Sequence, residues 1–109
     1  MEEISWKDFE KVDMRVGTIL KAELANTKKP AYKLEIDFGE FGVKKSSAQI
    51  TKLYRAGELI GKQVIAVVNF PPKQISDFLS EVLVLGVVRD NEVILLQPER
   101  KAINGRRVA

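Results

Sequence analysis

The chain contains neither histidine nor cysteine among its 109 residues. Without cysteine there is no disulfide, no thiolate nucleophile and no thiolate zinc site, a composition that fits a reducing cytosol. Without histidine the Ser-His-Asp and Cys-His triads and the usual imidazole metal sites are excluded, and lysine, tyrosine or a carboxylate is left as general base. No phosphate loop, metal-ligand cluster or paired-carboxylate motif stands out, and the acids alternate with lysines in ordinary surface fashion. The expectation is a protein that is not an enzyme, with no catalytic residue, no metal and no cofactor. No apolar run approaches the roughly 20 residues of a membrane span, so no membrane insertion is expected. Met1-Glu2-Glu3 is acidic and leads into a polar segment, unlike a signal or transit peptide. A soluble, cytoplasmic chain is expected, and no internal repeat or low-complexity tract is present.

What is present is ordinary in bulk: 45% hydrophobic and 30% charged residues, as in soluble globular proteins. The length predicts a single domain over 1–109 with one core and a radius of gyration of roughly 13 Å. The net charge of +3 and pI near 9.2 are mildly basic, and a nucleic-acid ligand would need these charges gathered on one face.

The stretch from Val64 to Val88 organises the rest. Val64–Val68 and Val82–Val88 are short, β-branched and bounded by turn formers, which predicts two buried strands. Between them lies a polar, proline-broken loop, Asn69–Glu81, that nevertheless carries Phe70, Ile75, Phe78 and Leu79; its length points to function and its apolar content argues against disorder. Upstream, Ser5 followed by Asp8 predicts a short capped helix to about Val12. Its apolar members Trp6, Phe9 and Val12 form one stripe, which either caps the chain's own core or docks on a second copy.

From Arg15 to Ala25 the pattern is extended, with Val16, Thr18, Leu20, Ala22 and Leu24 on one face and Gly17 marking a bulge or bend. Asn26–Pro30 reads as a turn. Tyr32, Leu34, Ile36 and Phe38 then alternate with Lys33, Glu35 and Asp37, the signature of a half-buried antiparallel strand. Gly39–Gly42 makes a hairpin loop to a third strand at about Val43–Ser47. Ser46 and Ser47 read as hydroxyls that hydrogen-bond ligand or backbone rather than as nucleophiles. Residues 51–61 supply a short helical connector stopped by Gly61. Asp90-Asn91 is a tight turn before a last strand, Glu92–Leu96. The tail from Gln97 is the most basic part, with Arg100, Lys101, Arg106 and Arg107 against Glu99. Five principal strands, a helix before the first and a helical connection after the third predict an all-β OB-fold barrel.

The strings Val12–Ile19, Lys33–Gly39, Leu59–Val64 and Ser80–Leu83 resemble the tRNA-binding domain family, the OB-fold appended to methionyl-tRNA synthetases and found in free-standing dimers that grip tRNA by shape. The blocks Ser46–Thr51, Gln63–Pro72 and Ser80–Gly86 resemble its CsaA subgroup, homodimers described as export-related chaperones. The resemblance runs from about Phe9 to Val108. It implies a homodimeric chaperone for unfolded or export-destined polypeptides, with a structure-specific tRNA binder as the alternative and a secretion motor as a further candidate partner. It also implies an RNA-facing set of Ser47, Gln49, Asn69, Lys73, Ser80 and Glu81, residue types that hydrogen-bond phosphate, sugar or base edges. Between Lys73 and Ser80, where tRNA-binding relatives often carry further basic residues and glycine, this chain has Gln74-Ile75-Ser76-Asp77-Phe78-Leu79. That change weakens an electrostatic grip and favours an apolar ligand.

Two ligand surfaces follow as expectations. A peptide would be held at the loop by Phe70, Pro71, Ile75, Phe78 and Leu79, through buried side chains and backbone pairing. A structured RNA would lie on Lys28-Lys29, Lys44-Lys45, Lys73 and the arginine-rich tail, gathered on one surface. Trp6 and Phe9, with the basic tail crossing to the partner, are the candidates for a two-fold interface.

Overall fold

The computed structural model describes residues 1–25 and 27–109. The expected turn at 26–30 bends at 27–29, and Asn26, its first residue, lies outside the described residues. In chain order the elements are α1 (Trp6–Glu10), β1 (Met14–Ala25), β2 (Ala31–Asp37), a 3-10 turn (Gly39–Phe41), β3 (Val43–Ala48) and α2 (Ala56–Leu59). There follow β4 (Gln63–Val67), β5 (Lys73–Ile75), β6 (Phe78–Ser80), β7 (Leu83–Val84), β8 (Gly86–Arg89), β9 (Glu92–Leu95) and β10 (Arg107–Val108). No helix among the described residues is long and apolar enough to cross a membrane.

The main sheet is antiparallel in the order β3-β2-β1-β4-β7. Its long strand β1 serves two neighbours in turn, Met14–Thr18 pairing with β4 and Thr18–Ala25 with β2, so that the sheet curls about it. The two free edges then meet at a seam made partly of side chains. The Glu81 N–H donates to the Lys45 carbonyl at 2.7 Å, the Lys45 N–H to Glu81 Oε2 at 2.8 Å, and the Ser47 N–H to Ser80 Oγ at 3.0 Å. Ser46, buried at this seam, donates from Oγ to the Val82 carbonyl at 2.9 Å. The result is a curled OB-fold barrel with two short helices.

Alternation in β2 works as the sequence predicts: Leu34, Ile36 and Phe38 are fully buried and pack with Ile19, Leu59 and Val64. Burying each such side chain contributes on the order of 1.5–3 kcal/mol. Ser5 Oγ accepts the Asp8 N–H at 3.1 Å, so the capped helix is also as expected. Gly61, at φ +87°, ends the helical connector.

Five expectations need correction. The bulge in β1 falls at Leu20, between Ile19 and Lys21, and not at Gly17; it reverses the face pattern, burying Ile19 and leaving Leu20 exposed. The run 82–88 is not one buried strand: it breaks into β7 and β8, and only Val82 is buried. The loop 69–81 contains a hairpin, with Lys73 opposite Ser80 and Ile75 opposite Phe78. The helical stripe does not cap the core of its own chain, since no residue of α1 is buried and Trp6 is 81% exposed. The tail lies along its own chain: β10 pairs with the start of β1, the Gly105 N–H donates to the Val16 carbonyl, and Gln63 holds Ala102 through both ends of its amide.

Candidate functional site

A cleft of about 730 Å³ opens between the β5–β6 hairpin and the strands that follow it. Its floor is the broken run Val82–Gly86, with Val88 and Val93 from the β8–β9 hairpin and Ile50 from the end of the seam strand. This placement follows from the break itself. Leu85 donates its N–H to the Ile65 carbonyl at 2.9 Å and accepts from the Leu96 N–H at 3.2 Å, so the chain leaves the barrel wall there and carries its apolar residues outward. Tyr54 steadies that departure: its hydroxyl accepts the Leu95 N–H at 3.0 Å, while its carbonyl accepts the Tyr32 hydroxyl at 2.7 Å.

The rim is basic. Lys28 and Lys29 rise from the bend before β2, and Lys73 from the opposite hairpin. No aspartate or glutamate lines the cleft, and among the described residues none of these three lysines is in an ion pair. A neighbouring hollow of about 580 Å³ shares Lys28, Lys29, Gln49, Val88 and Val93 with the cleft and adds Lys52 and one acid, Asp90. Cations therefore continue past the mouth of the cleft.

Of the six residues implied for RNA, Ser47, Gln49, Lys73 and Ser80 come together in this lining. Asn69 and Glu81 are elsewhere. The Asn69 amide ties down the junction between α1 and β1, its Oδ1 accepting the Asp13 N–H at 3.0 Å and its Nδ2 donating to the Lys11 carbonyl at 2.7 Å. Glu81 belongs to the seam, as does Ser80 Oγ, although Ser80 also faces the cleft.

The apolar loop residues do not form one surface. Ile75 lines the cleft. Phe78, half-buried opposite Ile75 in the hairpin, is absent from that lining but shares with Ile75 a smaller adjoining hollow of about 230 Å³, its ring centroid 5.6 Å from Lys33 Nζ and 5.8 Å from Lys45 Nζ, while neighbouring Asp77 pairs with Lys33 at 3.6 Å. Phe70, Pro71 and Leu79 are exposed and lie outside the cleft lining. Nor do the basic residues share one face, since Lys45 stands over Phe78 while Arg100 and Lys101 border a separate depression with Lys62 and Asn104. Sequence reading missed the floor, because a valine-rich run is the usual mark of a buried strand.

The chain matches the family described as "Putative tRNA binding domain" over residues 14–107. Among solved structures it is similar to the chaperone CsaA of Bacillus anthracis, with 50% identity and a TM-score of 0.96 over 99% of this chain and 100% of that one. It is likewise similar to the CsaA chaperone protein of Picrophilus torridus, with 51% identity and a TM-score of 0.91 over 98% of this chain and 100% of that one. A curated relative, the methionine–tRNA ligase of Archaeoglobus fulgidus, is 36% identical over 107 residues, which are 98% of this chain but 16% of the ligase.

Proposed function

The chain belongs to the tRNA-binding domain family, and from that premise we propose that it is a CsaA-like binding protein, not an enzyme, that holds unfolded or export-destined polypeptides as a homodimer in the cytoplasm. The observation that carries this reading is the open cleft with an apolar floor, which has the size of a ligand site and presents Val88 at 71% exposure. An extended segment laid in it buries alternate side chains against Ile75, Val84 and Val88, giving weak, sequence-tolerant binding. Fluorescence anisotropy with a labelled, uncharged apolar peptide tests it. Val88→Asp with Ile75→Asp weakens binding at least tenfold while circular dichroism stays unchanged, and Phe70→Ala, outside the lining, alters it less than twofold. Equal affinity in the double variant and the parent protein would reject the cleft.

A second reading, a structure-specific tRNA binder, is favoured by Lys28, Lys29 and Lys73 standing over the cleft without acidic partners. Phosphate contacts make the logarithm of affinity fall linearly with the logarithm of salt. A salt-independent gel shift with tRNA would eliminate this reading.

A further inference from the structure

We propose that polypeptide and RNA exclude each other from this protein, because the apolar floor and the lysine rim belong to one cleft that holds a single occupant. The inference rests on the polypeptide reading above and adds a regulator to the same site. Pockets of roughly 300–1,000 Å³ accommodate one ligand of drug-like size, and the cleft, at about 730 Å³, falls inside that range. A peptide segment long enough to fill the floor leaves no second volume for a nucleotide.

The geometry couples the two ligand classes through the lysines. Lys28 and Lys29 border both the cleft and the adjoining hollow with Lys52, so a sugar–phosphate backbone following these cations runs across the cleft mouth. Lysine stems lie along apolar surface while their ammonium heads stay in water. A bound peptide packs on the floor beneath those heads. A bound phosphate chain draws the heads together above it and closes the way in. No carboxylate lines the cleft, and Asp90 is the single acid in the adjoining hollow against Lys28, Lys29 and Lys52, so the path stays net positive for the polyanion.

The test is a displacement titration on the full chain. The labelled apolar peptide is first bound, and unlabelled bulk tRNA is added in about 50 mM salt. The anisotropy is expected to fall to the free-peptide value. The tRNA concentration needed is expected to rise roughly 20- to 40-fold between about 50 and 200 mM salt, as three phosphate contacts require. In Lys52→Glu, exposed and outside the cleft lining, the peptide binds as in the parent protein and several times more tRNA is needed to displace it. Polyphosphate, which has the charge without bases, displaces the peptide as tRNA does if the backbone alone is read. Its failure where tRNA succeeds overturns the backbone route. A wild-type protein that binds no peptide overturns the polypeptide reading itself, whereas a bound peptide that tRNA leaves in place overturns only the shared cleft.

Discussion

A methyl group at position 17 would occupy space that Ile36 and Phe38 already fill, its carbon 2.6 Å from Ile36 Cγ2 and 2.7 Å from Phe38 Cε1. Both neighbours are fully buried and cannot swing away. Gly17→Ala is therefore expected to destabilise the chain by about 1–3 kcal/mol through overpacking. Gly61 gives the contrast: its φ is +87° and nothing lies within 4 Å of an added carbon, so Gly61→Ala carries only the left-handed backbone cost of about 1–2 kcal/mol. Urea midpoints compare the two, and a Gly17→Ala protein as stable as its parent would contradict the inward facing of this part of β1. Asn69 separates structure from ligand binding in the same way. Its amide holds Asp13 and Lys11, so Asn69→Ala should lose about 1 kcal/mol of stability and speed hydrogen exchange at the Asp13 amide while tRNA displacement of peptide is unaltered. An Asn69→Ala protein of full stability but impaired RNA binding would return this residue to the RNA-facing set.

Between elements, the weak point is the seam that closes the barrel. A ladder of backbone pairs would be insensitive to side chains, but here Glu81 and Ser80 supply acceptors to the amides of β3. Glu81→Ala leaves the exposed Lys45 N–H at the barrel edge to water, at an expected cost of about 0.5–1.5 kcal/mol, with faster exchange at the Lys45 and Ser47 amides and no change at Ile36 in the centre of the sheet. Uniform exchange across all three amides would mean that the seam opens only when the whole barrel does. The same contrast between backbone and side-chain order explains what the sequence made legible. Strand β2 was readable because strict period-two alternation survives wherever one face is buried. The phase of β1 was not, since the bulge at Leu20 has no glycine or proline to mark it, and Gly17 marks a close approach instead. Lys28, Lys29 and Lys73 were legible as cation candidates, while the floor was assigned to the core because Val82–Val88 has the composition of a buried strand. Strand β10 is two residues long and leaves no periodicity to read.

At the scale of the whole molecule, two of the exposed apolar groups bear on pairing: the N-terminal segment with Ile4 and Trp6, and the face of the β8–β9 hairpin that carries Val87 and Ile94. Val87 and Ile94 oppose each other on the hairpin face turned away from Val88 and Val93, which line the cleft, so pairing through either group leaves the lining open. The proposed two-fold assembly uses Trp6 and Phe9, where each fully buried ring contributes on the order of 1.5–3 kcal/mol and occurs twice by symmetry. Trp6 is the single tryptophan, so its emission reports on that surface alone. Light scattering should give twice the chain mass of 12.3 kDa, with a blue-shifted Trp6 emission that moves to the red as dilution separates the subunits. Phe9→Asp should give the monomer mass and the red-shifted emission at every concentration. A dimer in which the indole emits as a solvated ring would move the interface to Val87 and Ile94; a parent protein of monomeric mass throughout would remove the two-fold assembly from the proposal.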